Sequence, residues 1–119
     1  MNPIVYQVEG IPSIEYWNKI YAMPICFIEK VGSQQTAVEQ INSSIYGISA
    51  TIFSSNKDKI HEIGSLLDVG VVYGNRWGFT PGVPYSPRKR SGKGHSFSAL
   101  SYTNVTKSQS LKGFYEAAQ

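Results

Sequence analysis

Asn42-Ser43-Ser44-Ile45-Tyr46-Gly47-Ile48-Ser49-Ala50-Thr51-Ile52-Phe53 is the stretch on which the fold turns. Just before it, Ala37, Val38 and Ile41 share one helical face, and Gly32-Ser33 offers an N-cap. These signals predict a helix over about Gln34 to Ser43. Gly47 can then turn the chain, and the apolar β-formers that follow predict a strand from Ile48 to Ser54. A helix that runs through a short turn into a strand is the middle of a crossover unit.

The flanks complete the unit. Upstream, Ile4-Val5-Tyr6-Gln7-Val8 lies between Pro3 and Gly10 and predicts a first strand. Ile11 to Asn18, with Pro12, reads as a loop or a single helical turn. Met23 to Val31 is an apolar run of strand length, expected to be buried on both faces. Downstream, Ser55-Asn56 starts a second helix in which Ile60, Ile63 and Leu67 recur at helical spacing. Gly70 stands where a C-cap glycine belongs, and Val71-Val72-Tyr73 opens a further strand. The fold class is therefore α/β: a β-α-β-α-β unit with a largely parallel sheet. Arg76 to Lys93 is rich in proline and glycine and predicts loop. A short helical stretch is expected around Phe97 to Ser101, then a polar C-terminal strand from Tyr102 to Ser110.

With 119 residues the chain fits one small domain, 1–119, and 41% hydrophobic content argues against wholesale disorder. The longest apolar runs are strand-sized, so no membrane span is expected. The N-terminus has no basic region followed by a long apolar stretch, so no signal peptide is read. One cysteine excludes an intrachain disulfide and suits a cytoplasmic location. The net charge of +3 is uneven, because Arg88, Lys89, Arg90 and Lys93 crowd into one loop.

Four motifs then stand in order: Asn42–Ala50, Gly70-Val71-Val72-Tyr73-Gly74-Asn75, Pro84-Tyr85-Ser86-Pro87, and Ser91-Gly92-Lys93-Gly94. Together they resemble the C-terminal part of the aldehyde dehydrogenase superfamily catalytic domain, from about Ile4 to Gly113. The basic run Arg88-Lys89-Arg90-Ser91-Gly92 is most similar to the non-phosphorylating glyceraldehyde-3-phosphate dehydrogenase branch. In that superfamily a cysteine attacks the aldehyde, hydride passes to a nicotinamide cofactor, and a glutamate activates the water that releases the acid. The resemblance places both catalytic residues upstream of the region represented here, so no catalytic residue is assigned. Cys26 lies in an apolar run and reads as a small hydrophobe rather than a nucleophile.

The resemblance implies one cofactor contact in this region, a Glu-x-Phe pair whose glutamate holds the nicotinamide ribose. Ile20 and Ala22 occupy those positions, and a shift of one offers Lys19 and Tyr21, so neither register supplies the carboxylate. Pro84-Tyr85-Ser86-Pro87 replaces Pro-Phe-Gly-Gly, losing both glycines. No cofactor is therefore expected.

Outside the motifs, His61 and His95 with a single cysteine make no zinc set. Gly92-Lys93-Gly94 fails the Walker pattern at both ends. Arg88, Lys89, Arg90 and Lys93 form a possible anion site, above all if a helix starts near Ser96. Trp77, Phe79, Tyr102 and Val105 are candidate interface residues. The expected function is a non-catalytic assembly module of this family that forms a homo-oligomer. One alternative is a chain of a split enzyme, completed by a partner carrying the missing domains. A basic module for phosphate ligands or nucleic acid is the remaining alternative, with nucleic acid the less favoured partner.

Overall fold

The structure, a computed structural model, describes residues 2–8, 18–78 and 80–107. Two β-α segments and a closing strand follow the first strand: β1 (Ile4–Val8), β2 (Ile25–Glu29), α1 (Gln34–Ser43), β3 (Tyr46–Gly47), β4 (Ser49–Ile52), α2 (Lys57–Leu66) and β5 (Val71–Gly74). A two-residue strand β6 (Arg88–Lys89) and a 3-10 helix (Ala99–Asn104) close the described part. The segment Ile11 to Asn18 lies outside the described residues except for Asn18, a turn residue.

The helix signals act as the sequence predicts. Ser33 caps α1 by accepting from the Thr36 amide, and Asn56 caps α2 by accepting from the amides of Asp58 and Lys59. Both caps satisfy donors that have no partner inside the helix. Asp58 adds a negative charge to the first turn of α2, which suits the helix dipole.

β1 pairs with β2, and β4 with β5, and both pairs are parallel. β3 pairs with β6 in the antiparallel sense, Tyr46 opposite Lys89. The expected parallel pairing is present, but as separate two-stranded sheets rather than one continuous sheet. Among the described strands, β2 and β4 share no hydrogen bonds.

Several expectations need correction. α2 ends at Leu66 with Leu67 at its C-cap, three residues before Gly70. Leu67 can end the helix in extended backbone, so no left-handed glycine is required there. Tyr102 to Asn104, expected as strand, belong to the 3-10 helix, because a reciprocal capping box between Ser98 and Ser101 nucleates it. Residues 108–110 of that expected strand lie outside the described residues.

β2 is not buried on both faces. Ile25, Phe27 and Glu29 share a half-buried face, while Cys26 and Ile28 point to an exposed one. Cys26 lies in the apolar strand as expected but is exposed. Tyr6 stacks on its strand partner Phe27 with ring centroids 6.0 Å apart, and Tyr21 tilts onto the same ring at 5.5 Å. Among the described hydrophobic residues only Leu67 and Val69 reach full burial, at 6% and 7% exposure. The described part has its elements and its caps but almost no interior.

Candidate functional site

The motif residues gather around the turn between α2 and β5. Asn42, in the last turn of α1, donates from Nδ2 to the Leu66 carbonyl at 2.7 Å. Its Oδ1 accepts from the Asp68 amide at 2.7 Å. One side chain thus satisfies an orphan carbonyl at the end of α2 and the amide just beyond it. The backbone carbonyl of Asn42 accepts from Lys89 Nζ at 2.9 Å. Asn42 ties α1, α2 and β6 together.

Asn75 does the same work at the other end of the parallel pair. Its Oδ1 accepts from the Ser54 amide, and its Nδ2 donates to the Ser54 carbonyl. The amide side chain copies a ladder step and locks the end of β4 to the end of β5. Asn75 sits at a φ of +52°, a left-handed conformation that asparagine tolerates better than most residues.

Ser91 and two glycines complete the knot. Ser91 Oγ accepts from the Gly47 amide at 2.9 Å. A Cβ on Gly47 would lie 2.8 Å from the Asp68 carbonyl oxygen, and one on Gly70 would collide with the Ser86 carbonyl. Both glycines are required by the close approach of backbone from another segment. Asn42, Gly47, Gly70, Asn75 and Ser91 are therefore fold-holding residues. The sequence shows the motif but not these bonds, because each joins segments far apart along the chain.

The four basic residues part company. Arg88 Nη1 lies 3.2 Å from Asp68 Oδ1, and Lys89 Nζ 3.5 Å from Asp68 Oδ2. The Arg88 bond holds the Asp68 carboxyl below its ordinary range against an opposing desolvation, and the nearby Lys89 charge adds to the effect. Two of the four expected anion-binding residues are thus spent on Asp68. Arg90 and Lys93 are exposed and have no ion pair among the described residues. At the nearby helix start, Ser98 and Ser101 cap each other reciprocally.

Ile20 and Ala22 are both exposed and offer no acceptor for a ribose hydroxyl. In the alternative register, Tyr21 is engaged with Phe27. The residues present do not fit the nicotinamide ribose contact. Among the described residues no three His, Cys, Asp or Glu side chains gather as a metal site. His61 is exposed on α2, and His95 Nδ1 hydrogen-bonds Ser86 Oγ. No described helix is long and apolar enough to cross a membrane. Trp77, Tyr102 and Val105 are 80%, 73% and 84% exposed, and Phe79 lies outside the described residues.

This is a parallel α/β fold held by motif side chains. A family model described as "Aldehyde dehydrogenase family" matches residues 12–111, and the chain belongs to that family. It is 26% identical to a succinate-semialdehyde dehydrogenase [NADP(+)] of Deinococcus radiodurans, over 87% of this chain and 22% of that protein. It is 28% identical to a human 2-aminomuconic semialdehyde dehydrogenase, over 74% of this chain and 18% of that protein. Among solved structures, a Streptococcus pyogenes succinic semialdehyde dehydrogenase with NADP+ superposes with a TM-score of 0.74 at 30% identity. That match covers 83% of this chain and 22% of the other. The chain spans about a fifth of the length of the relatives it matches.

Proposed function

We propose that this chain is an assembly segment of an aldehyde-oxidising enzyme: it carries the scaffold of the C-terminal catalytic-domain region and none of the reacting groups. The observation that carries this is the bareness of the parallel strands. Parallel strands are ordinarily covered on both faces, and a two-stranded sheet alone is marginal. Here Ile4, Val5, Tyr6 and Ile28 of β1 and β2 are all at least 41% exposed. Surfaces of that kind are normally buried against further protein.

The natural cover is the rest of an aldehyde dehydrogenase fold, since the chain accounts for about a fifth of its relatives' length. In such an assembly the nucleophile and the nicotinamide cofactor belong to the other part, and NADP-linked oxidation of a semialdehyde is the activity its relatives' names suggest. Without that part, the exposed strands and Trp77, Tyr102 and Val105 favour a homo-oligomer. A cytoplasmic setting accompanies this proposal and rests on the single cysteine.

Light scattering followed by calorimetric titration with NAD and NADP tests it. An oligomer that binds neither cofactor is the expected result. A monomer that binds either one overturns the proposal.

A further inference from the structure

An open groove of about 560 Å³ lies between α2 and β5. Its floor is Ile60 and Gly64 from the helix with Val72 and Gly74 from the strand. Val72 and Gly74 are two residues apart and so share one face of β5. That face meets α2 closely. A Cβ on Gly64 would lie 3.3 Å from Val72 Cγ1, and one on Gly74 would lie 2.9 Å from Ile60 Cγ2. Lys57, His61 and Ser65 recur at every fourth position of α2 and form the rim of the groove on one side of the helix. Ser65 Oγ donates to the Glu62 carbonyl, so its proton is already used. Lys57 and His61 are exposed and have no ion pair among the described residues. The acidic residues of α2, Asp58 and Glu62, do not line the groove, and Glu62 accepts from Gln34 of α1 at 3.3 Å.

We propose that this groove binds a small amphipathic anion, a carboxylate carried on a short hydrocarbon chain. The ionisable side chains of the lining are Lys57 and His61, so the groove offers donors to a negative head and no carboxylate to repel it. One helical turn separates the two, which lets both reach a single carboxylate. The hydrocarbon body then lies on Ile60, Gly64, Val72 and Gly74, where it removes apolar surface from water. A cationic ligand would meet Lys57 at the rim, and a neutral alcohol would gain the floor without the charged contacts. The volume falls within the roughly 300–1,000 Å³ of small-molecule sites. The inference goes beyond the assembly proposal and does not rest on it.

Hexanoate is titrated into the ¹⁵N-labelled chain, with hexanol as the neutral analogue and hexylammonium as the cationic one. Saturable shifts are expected at the amides of Ile60, His61, Gly64, Val72 and Gly74, with hexanol at least fivefold weaker. The double variant Lys57→Glu with His61→Glu should lose hexanoate by tenfold or more and take up hexylammonium at the same amides. Lys59→Glu makes the same change of charge on α2 away from the groove and should leave hexanoate affinity within twofold. Absence of saturable shifts, equal response to hexanol, an unchanged affinity in the double variant, or an equal loss in Lys59→Glu overturns the proposal.

Discussion

Replacing Asn42 by alanine removes two hydrogen bonds that cross the molecule, to the Leu66 carbonyl and from the Asp68 amide, each 2.7 Å long. A net contribution of about 1 kcal/mol per bond puts the loss near 2 kcal/mol. The two backbone groups lie near the surface, so water recovers part of their solvation and the full desolvation cost does not apply. Alanine also has the better helix propensity in the last turn of α1, which returns about 0.5 kcal/mol. The net destabilisation is therefore about 1.5 kcal/mol. In urea this corresponds to a midpoint lowered by roughly 0.5–1 M for a chain of this size. Amide exchange gives the sharper check. Protection of the Asp68 amide should fall about tenfold, since 1.4 kcal/mol is a factor of ten. Amides of β1 and β2, which Asn42 does not touch, should fall only with the global loss. If the Asp68 amide exchanges as slowly in the variant as in the parent, the clamp assigned to Asn42 is wrong.

Asn75→Ala should cost a similar amount, about 1–2 kcal/mol, by releasing Ser54 and placing alanine at a positive φ; its signature is faster exchange at the Ser54 amide. Gly70→Ala should lower the thermal midpoint sharply, by an overpacking cost of about 3 kcal/mol, because both colliding groups are backbone-bound; a shift below 2 °C would exclude the close approach. The depressed pKa of Asp68 contributes stability that is present above its unfolded value of about 3.9 and is lost as pH falls through the lower folded value. Asp68→Asn should remove that acid-side slope, read from urea midpoints between pH 5 and 2.5, and salt should weaken the parent's advantage. Trp77→Ala with Val105→Ser should reduce the solution mass by sedimentation while leaving the unfolding midpoint almost unchanged, because both side chains are exposed. Intact oligomers in that double variant would move the interface elsewhere.

The sequence by itself determined the local elements. Gln34–Ser43 is helical because Ser33 can cap it and Ala37, Val38 and Ile41 share a face, and both facts are local. The second helix begins at Asn56 for the same reason. Ile4–Val8 and Val71–Gly74 are strands because β-formers stand between chain breakers. The family was legible too, since its motifs are short runs in a fixed order.

Tertiary structure decided what those motif residues do. Asn42 reaches a carbonyl 24 residues away, Gly47 meets Ser91 across 44 residues, and Gly70 is a glycine because the Ser86 carbonyl lies against it. The same holds for Arg88 and Lys89, whose sequence suggests an anion site and whose fold delivers them to Asp68. Glu29 gives no sequence signal at all, and it is the fold that buries one of its carboxylate oxygens. The physical reason is common to all of these. Helix and strand signals act over a few residues, whereas hydrogen-bond satisfaction and close packing depend on which distant backbone arrives alongside.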